Sequence, residues 1–581
     1  MKKLIFISIV LSTCALYSCQ SIFDQPDDGR INYDDVYSAD NFISGYLNKA
    51  YSFMPILASS YGESNFLSVY TDEAHDSKFM ENSSAAKYYY GNMNSSNNMI
   101  NDSLYSNMYS GIRMCNNFIK HIDNAENIVT QGYKSKWKAE AYTLRAFYYL
   151  QLIKRYGPVP IIKEELPDDY DFSKVVRPTF YENVKAIIED CDSALIQPEF
   201  KARCEKESQN GSVNAATAWA VKSQAILFAA SPLWNNGEDH WEEAAKITGD
   251  ALKYMRNNNF KLYDISTNVK AYSNYQRYFL LTPEMTLVPS QDKETIYAGQ
   301  NRLNIWQQHG LPFIANVVKA GTCPSQELVD SYETIDGKTV LDYSQPYLDD
   351  KHLQPNYNPD NTMYNPEKPY ENRDLRFYSS IFYNGVQVVP NEGNERVWTY
   401  VGGNSGFTTQ NSMYSPTGYY LRKYQNYLSK KDANSDGYWR YFRFAEILLN
   451  YAEAEFYAHG VTSEALEAIN EVRMRAGLPK LSESITPEEF EYRLRNERRV
   501  EFAFEEHRYF DLRRWKINTE NEGVITGMKI EKNSQDGSYK YNRVVVSERP
   551  VTDEKYSMWP IPLDEQTKFH MYGVEYQNPG W

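Results

Sequence analysis

The densest set of ionisable residues runs from Arg495 to Trp515, RNERRVEFAFEEHRYFDLRRW. Two carboxyl groups facing each other across a cleft, ~5 Å or ~6.5–9.5 Å apart, would hydrolyse a glycosidic bond. Glu497, Glu501 and Glu505 instead recur at i, i+4 spacing on one helix face, interleaved with Arg498, Arg508 and Arg514. That pattern suits ion pairs within and between helices, so a structural role is expected. Asp432-Ala433-Asn434-Ser435-Asp436-Gly437 imitates the first half of a calcium loop. The place of its bidentate glutamate is taken by Arg443, a cation, which makes an ordinary turn the expectation. Eight histidines are dispersed, and no CxxC, HExxH or His-x-His occurs. Neither a metal site nor a cofactor is indicated, and GxSxG, P-loop and dinucleotide fingerprints are absent from the sequence.

The remaining chemical lead is aromatic. The chain has 50 Tyr, 26 Phe and 10 Trp in 581 residues. Tyrosine joins an apolar ring to a polar tip, and most of these are expected in the core. Some rings stand in polar, loop-like stretches. Tyr88, Tyr89 and Tyr90 follow Asn82-Ser83-Ser84. Trp306 lies in Asn301-Arg302-Leu303-Asn304-Ile305-Trp306-Gln307-Gln308, and Trp398 and Tyr400 precede Gly402-Gly403. Sugars present apolar C–H faces and a hydroxyl rim, which flat rings and Asn, Gln, Asp or Arg side chains would bind. The competing expectation is that each ring pins a loop to the core.

Helices are expected to position these loops. Trp137 to Tyr156 is apolar on two faces and reads as a helix buried nearly all round, stopped by Gly157-Pro158. Asn214 to Ala230 reads likewise, and Trp241 opens its partner. Helix pairs with small residues at close-packing positions resemble degenerate tetratricopeptide units. Residues ~265–440, rich in Asn, Tyr, Pro and Gly, are expected to form loops and short strands. Helices return at Tyr441 to Ala458 and Glu464 to Ala476. Thr486-Pro487-Glu488-Glu489 predicts a helix start, with Thr486 as N-cap, Pro487 at N1 and Glu489 completing a capping box.

The N-terminus predicts export. Lys2 and Lys3 precede the apolar run Leu4 to Leu11, which is too short to span a bilayer and reads as a secretory signal. Leu16-Tyr17-Ser18-Cys19 resembles a lipobox, with Cys14 as a rival site behind the bulkier Thr13. Cleavage before Cys19 would make residues 1–18 the signal peptide and 19–35 a lipidated tether. It would leave 59 basic against 76 acidic residues, a net charge of −17. With no long basic run, nucleic acid is not an expected partner. Four cysteines then remain, too few for a disulfide framework, although Cys191 and Cys204 could close one loop.

Several ordered segments together resemble the SusD/RagB family of surface nutrient-binding lipoproteins. Arg443 to Ala454 is similar to the family's RxAExxLxYAEA helix, and Asn470 to Gly477 to its INxxRxRAG. Glu497 to Glu501 with His507 to Trp515 is similar to ERRxE…RxFDLRRW, and Trp559-Pro560-Ile561-Pro562 with Gln577 to Gly580 to the closing WPIP…QNPG. Upstream, Glu140 to Ala146 and Tyr156 to Pro160 resemble EAxxLRA and YGxVP. The resemblance implies a mainly α fold in one domain over 36–581, with tetratricopeptide-like helix pairs against a loop-rich ligand-binding region. It implies a non-catalytic, lipid-anchored protein of the outer-membrane surface that hands oligosaccharide to a SusC-like TonB-dependent transporter. The alternatives are a peptide- or protein-binding adaptor of the same system, or a surface glycan hydrolase. The family's use of loops near 65–100 and 270–330, taken with aromatic composition, gives the candidate ligand residues: Asp72, Tyr88, Tyr89, Tyr90, Asn301, Arg302, Asn304, Trp306, Gln307 and Trp398.

Overall fold

The computed structural model describes residues 33–581 apart from 56–64, 81–82, 97–102, 126–131, 168, 205–210, 265–272, 281–291, 304–309, 311, 313–319, 390–391, 425–436 and 551–553. Its frame is a series of long helices: α1 (Asp40–Tyr51), α2 (Ser103–His121), α3 (Tyr133–Tyr156), α4 (Phe180–Leu195), α5 (Ala215–Ala230) and α6 (Trp241–Asn257), followed late in the chain by α7 (Phe444–His459) and α8 (Ser463–Arg475). From α2 onward each helix packs on the next, and α7 packs on α6 although residues 258–443 intervene. The strands and short helices of that interval are therefore inserted between two consecutive members of one helical stack.

Side-chain caps fix several helix starts. Thr179 and Glu182 close a capping box on α4, and Asn214 with Thr217 does so on α5. The helix after Thr486, α9 (Pro487–Glu501), carries the expected N-cap and Pro, but not the full box. Glu489 turns away from the cap and accepts from Arg493 one turn on. A second expectation also shifts. Tyr441 to Arg443 is strand rather than helix, because Phe442 pairs with Tyr297 across two antiparallel strands. These are β2 (Thr295–Leu303) and β8 (Gly437–Arg443), and α7 begins only at Phe444. The calcium-like turn lies outside the described residues as far as Asp436. Arg443 itself is locked in ion pairs with Glu294, Glu501 and Glu505.

The segments that carry the family resemblance interlock. Arg443 ahead of α7 reaches Glu501 at 2.6 Å, and Arg473 of α8 reaches Glu497 at 3.2 Å. Arg475 pairs with Glu501 as well. In the next helix, α10 (His507–Arg514), Asp511 takes Arg498 at 3.0 Å, and Arg514 bonds Glu453 of α7. Asn578 near the C-terminus donates to the carbonyls of Tyr156 and Trp559, tying the chain end to the end of α3. All of these charges are buried, and removing one partner of such a pair costs ~3–5 kcal/mol. The carboxylates Glu497, Glu501 and Glu505 are thus structural, as their spacing implies. Their partners are mainly Arg376, Arg443, Arg473 and Arg475 rather than the arginines interleaved with them.

Smaller antiparallel pairs decorate this frame. β1 (Ala74–Asp76) pairs with β3 (Thr322–Pro324), and β4 (Ile381–Phe382) with β7 (Tyr420–Leu421). β5 (Gln387–Val389) pairs with β6 (Glu392–Arg396). The hairpin of β9 (Val524–Lys532) and β10 (Tyr539–Glu548) is the longest, with a bulge between Val545 and Ser547. Cys191 and Cys204 do not pair: both are free thiols, as are Cys115 and Cys323.

Candidate functional site

Whether a tyrosine or tryptophan can meet a ligand turns on two observables here: whether the ring plane is accessible, and whether its polar tip is already bonded. Both remove Tyr88 and Tyr89. They lie on the buried face of the short helix Ser84–Tyr89, and each is almost wholly inaccessible. The Tyr88 hydroxyl donates to Glu522 at 2.7 Å, and the Tyr89 hydroxyl donates to the Val69 carbonyl at 2.8 Å. These rings serve the core, because a buried hydroxyl needs a partner and both have found one. Tyr90, one residue on, turns outward and is 58% exposed.

Asp72 is likewise sequestered. Arg508 donates to both its oxygens, at 2.9 and 2.7 Å, and Arg499 stands 3.0 Å away. Burial alone would raise its carboxyl, but the two guanidinium groups more than offset this and hold it at about 2. Its role is to fasten the segment before β1 to α10. Asn301 and Arg302 lie on β2, where Arg302 is the register partner of Tyr438. Asn304, Trp306 and Gln307 lie outside the described residues, as does Cys19.

Trp398 is different. It follows β6 in a turn closed by short backbone contacts: the Val397 amide bonds the Val386 carbonyl at 3.0 Å, and the Ser405 amide bonds the Trp398 carbonyl at 3.0 Å. The Asn404 side chain accepts from the Trp398 amide and donates to the Arg396 carbonyl, while Asn384 accepts from the amides of Thr399 and Tyr400. Glycines are required beside the ring. A Cβ on Gly403 would stand 2.2 Å from the Trp398 carbonyl oxygen, and Gly385, at φ +86°, lies under the indole edge.

The turn is anchored to the long hairpin by the Val401 amide, which bonds the Ile530 carbonyl at 2.9 Å. This brings three rings together. Trp398 stacks on Tyr539 at 6.5 Å between centroids with 25° between planes. Tyr400 lies 6.1 Å from Trp398 and 5.8 Å from Tyr539. Lys532, opposite Tyr539 in the hairpin register, holds its ammonium 5.2 Å from the Tyr400 ring centroid. All three rings are only partly buried. Among the described residues, the Trp398 indole N–H and the Tyr400 and Tyr539 hydroxyls have no hydrogen-bond partner. The cluster thus offers ring faces and polar tips at a single place, with the Lys532 ammonium over the Tyr400 ring. Ring faces beside polar tips suit a hydroxyl-rimmed ligand.

Among the described residues, Tyr90 makes no ring contact with this trio. Tyr539 is the member that sequence reading passes over. The signal was present: Asp536-Gly537 sits between VITGMKIEK and YKYNRVVV, a hairpin turn between two strand-like stretches.

Comparison with known proteins agrees with the architecture. The SusD family description matches residues 291–581, and a second, starch-binding associating with outer membrane, matches 32–221. A SusD-like protein of Bacteroides ovatus is 24% identical over an aligned length of 426, covering 71% of this chain and 65% of that protein, just under two thirds of its length. A solved SusD-like protein of Bacteroides fragilis has a TM-score of 0.74 at 24% identity, covering 96% of this chain and 100% of its own. A SusD-like carbohydrate-binding protein of the same species gives 0.69 at 23%, over 92% and 98%. Surface glycan-binding protein A of Bacteroides fluxus gives 0.59 at 21%, over 94% and 100%. At these identities the structural likeness speaks for the fold, while the family match spans half of the chain. The chain belongs to the SusD family.

Proposed function

We propose that this protein is a non-catalytic glycan-binding lipoprotein of the cell surface, which captures oligosaccharide and delivers it to a SusC-like TonB-dependent transporter. The observation that carries the reading is the Trp398–Tyr400–Tyr539 cluster, whose rings are partly accessible and whose polar tips are unspent. Several relatives support the ligand class, among them the solved carbohydrate-binding and surface glycan-binding proteins. The family's description as associating with the outer membrane supports the location, and the lipobox-like Leu16 to Cys19 supports a lipid anchor.

Binding without bond cleavage accords with the fate of the carboxylates at α9. Glu497 and Glu501 are each matched by buried arginines, and Glu505 by Arg443 and Lys423. They stand in the core instead of flanking a cleft, as hydrolysis would require. A shallow platform should bind at ~4 to 8 kcal/mol, millimolar to micromolar. Calorimetry against a panel of neutral and acidic polysaccharides tests the reading. Heat of binding with at least one polysaccharide, and no release of reducing ends, is the expected result. Release of reducing ends, or silence across the panel, would oppose it.

A further inference from the structure

A concavity lies elsewhere on the protein. Its walls are α2, residues 160–175 and the C-terminal helix α11 (Leu563–Met571), and its volume is about 640 Å³. A smaller hollow of about 240 Å³ adjoins it, sharing Pro160, Ile162, Glu164, Leu166 and Val175.

The floor is aromatic. Tyr105 and Tyr109 lie 5.1 Å apart and have their hydroxyls spent, on Tyr576 and on the Pro160 carbonyl. Phe569 packs on Tyr576 at 4.5 Å. The rim carries two rings that face outward: Phe172, 38% exposed, and Tyr572, 46% exposed, 5.7 Å apart. α11 has no fully buried residue: Phe569 is partly buried against Tyr576, while Tyr572 at its C-cap stays open to solvent.

The polar lining decides the ligand class. Arg113 of α2 and Glu164 stand solvent-exposed at the rim, and among the described residues neither has a side-chain hydrogen bond or ion pair. The other charges are spent: Lys568 on Glu565 at 2.6 Å, and Glu165 on Lys120 at 2.8 Å. One unspent cation and one unspent anion leave the groove close to neutral. A phosphate or a polyanion would meet Glu164, and a cation would meet Arg113. An uncharged polyol instead finds a planar donor fork, a carboxylate acceptor and flat rings for its C–H faces.

We infer that this groove is a second binding site for neutral oligosaccharide, distinct from the Trp398 platform. The inference rests on the glycan reading above and adds a second point of attachment to it. Two weak sites on one molecule raise retention of a polymer long enough to reach both, without any new contact.

The test uses the full chain on affinity gels holding starch, xylan, galactomannan or arabinan, then calorimetry with a soluble oligosaccharide cut from whichever polymer retains it. The variants are Arg113→Ala/Tyr572→Ala, Trp398→Ala and all three together, with melting temperatures confirming that each is folded. Wild type should titrate with two sites. The groove variant and Trp398→Ala should each lose one, and the triple variant should lose both. Gel retention of the groove variant should fall at least threefold. If the groove variant keeps wild-type stoichiometry while Trp398→Ala loses all binding, the groove inference is overturned and the glycan reading stands. If the groove variant keeps its glycan stoichiometry but no longer co-purifies with the outer-membrane transporter, the groove docks protein and the inference is likewise overturned. If no gel retains wild type, both readings fall together.

Discussion

Arg443 closes β8 and Glu501 closes α9, and the two meet at 2.6 Å in the core. Arg376 and Arg475 converge on the same carboxylate. One glutamate therefore holds the inserted strands, α8 and α9 in register with one another. Burial would raise its carboxyl, but three guanidinium groups more than offset that and keep it far below the usual range.

Glu501→Gln should accordingly cost ~3–5 kcal/mol, since it leaves buried arginines short of a counter-charge. Chemical denaturation checks this through the midpoint, compared above pH 6, where a carboxylate of depressed pKa contributes its full stability. A midpoint equal to wild type would show that the network is not what holds these elements together.

Glu140 predicts the opposite pH behaviour. Burial lifts its carboxyl to about 7, against the weaker pull of the Tyr51 hydroxyl at 2.7 Å and Lys136 at 3.8 Å. The folded state then holds this proton more tightly than the unfolded chain, whose glutamates titrate near ~4.3. The contribution to stability is present below that value and is lost as pH rises toward about 7. Glu140→Gln keeps an acceptor for Tyr51 and removes the ionisation. It should match wild type near pH 4.5 and exceed it by ~2–3 kcal/mol at pH 8, measured as the difference between the two stability–pH curves. A constant difference across pH would contradict the assignment.

Gly403→Ala tests how the platform is built. The added Cβ would stand 2.2 Å from the Trp398 carbonyl oxygen, so the turn must move. Glycan affinity should fall about tenfold, ~1.4 kcal/mol. The melting temperature should change little, because the turn is at the surface. Equal loss of folding and binding would mean that the turn is part of the core.

Cys19→Ala tests the anchor. The acyl chains of a lipidated cysteine contribute ~0.8 kcal/mol per buried CH₂, and without them the protein should move from the membrane fraction to the soluble one while remaining folded. Fractionation in cells lacking the transporter gives the answer. Continued membrane partition there would rule out Cys19 as the attachment point.

The helical frame was legible because apolar spacing and caps are local signals. Trp137 to Tyr156 and Asn214 to Ala230 lie almost where their patterns place them, and Thr486 caps its helix. Phe442 misled because a buried strand running straight into a helix shares its apolar stripe. Among the candidate ligand residues, composition could not tell Tyr88 and Tyr89 from Tyr90. Burial of the first two depends on Glu522 and Val69, residues far away in the chain or on another element. Asp72 was opaque for the same reason, its partners lying more than 400 residues on. Trp398 was legible as an aromatic beside glycines, but Tyr539 joins it through long-range ties such as the Val401–Ile530 backbone bond, which no local pattern announces.

If the partly exposed rings at Trp398 bind glycan, Trp398→Ala must weaken that binding. The measurement is calorimetric affinity for the polysaccharide that wild type binds, with Tyr88→Phe as a control whose ring is buried. Trp398→Ala should weaken one class of site by at least tenfold, ~1.4 kcal/mol, and folded Tyr88→Phe should bind as wild type does. Unaltered binding by folded Trp398→Ala would contradict glycan binding at this cluster.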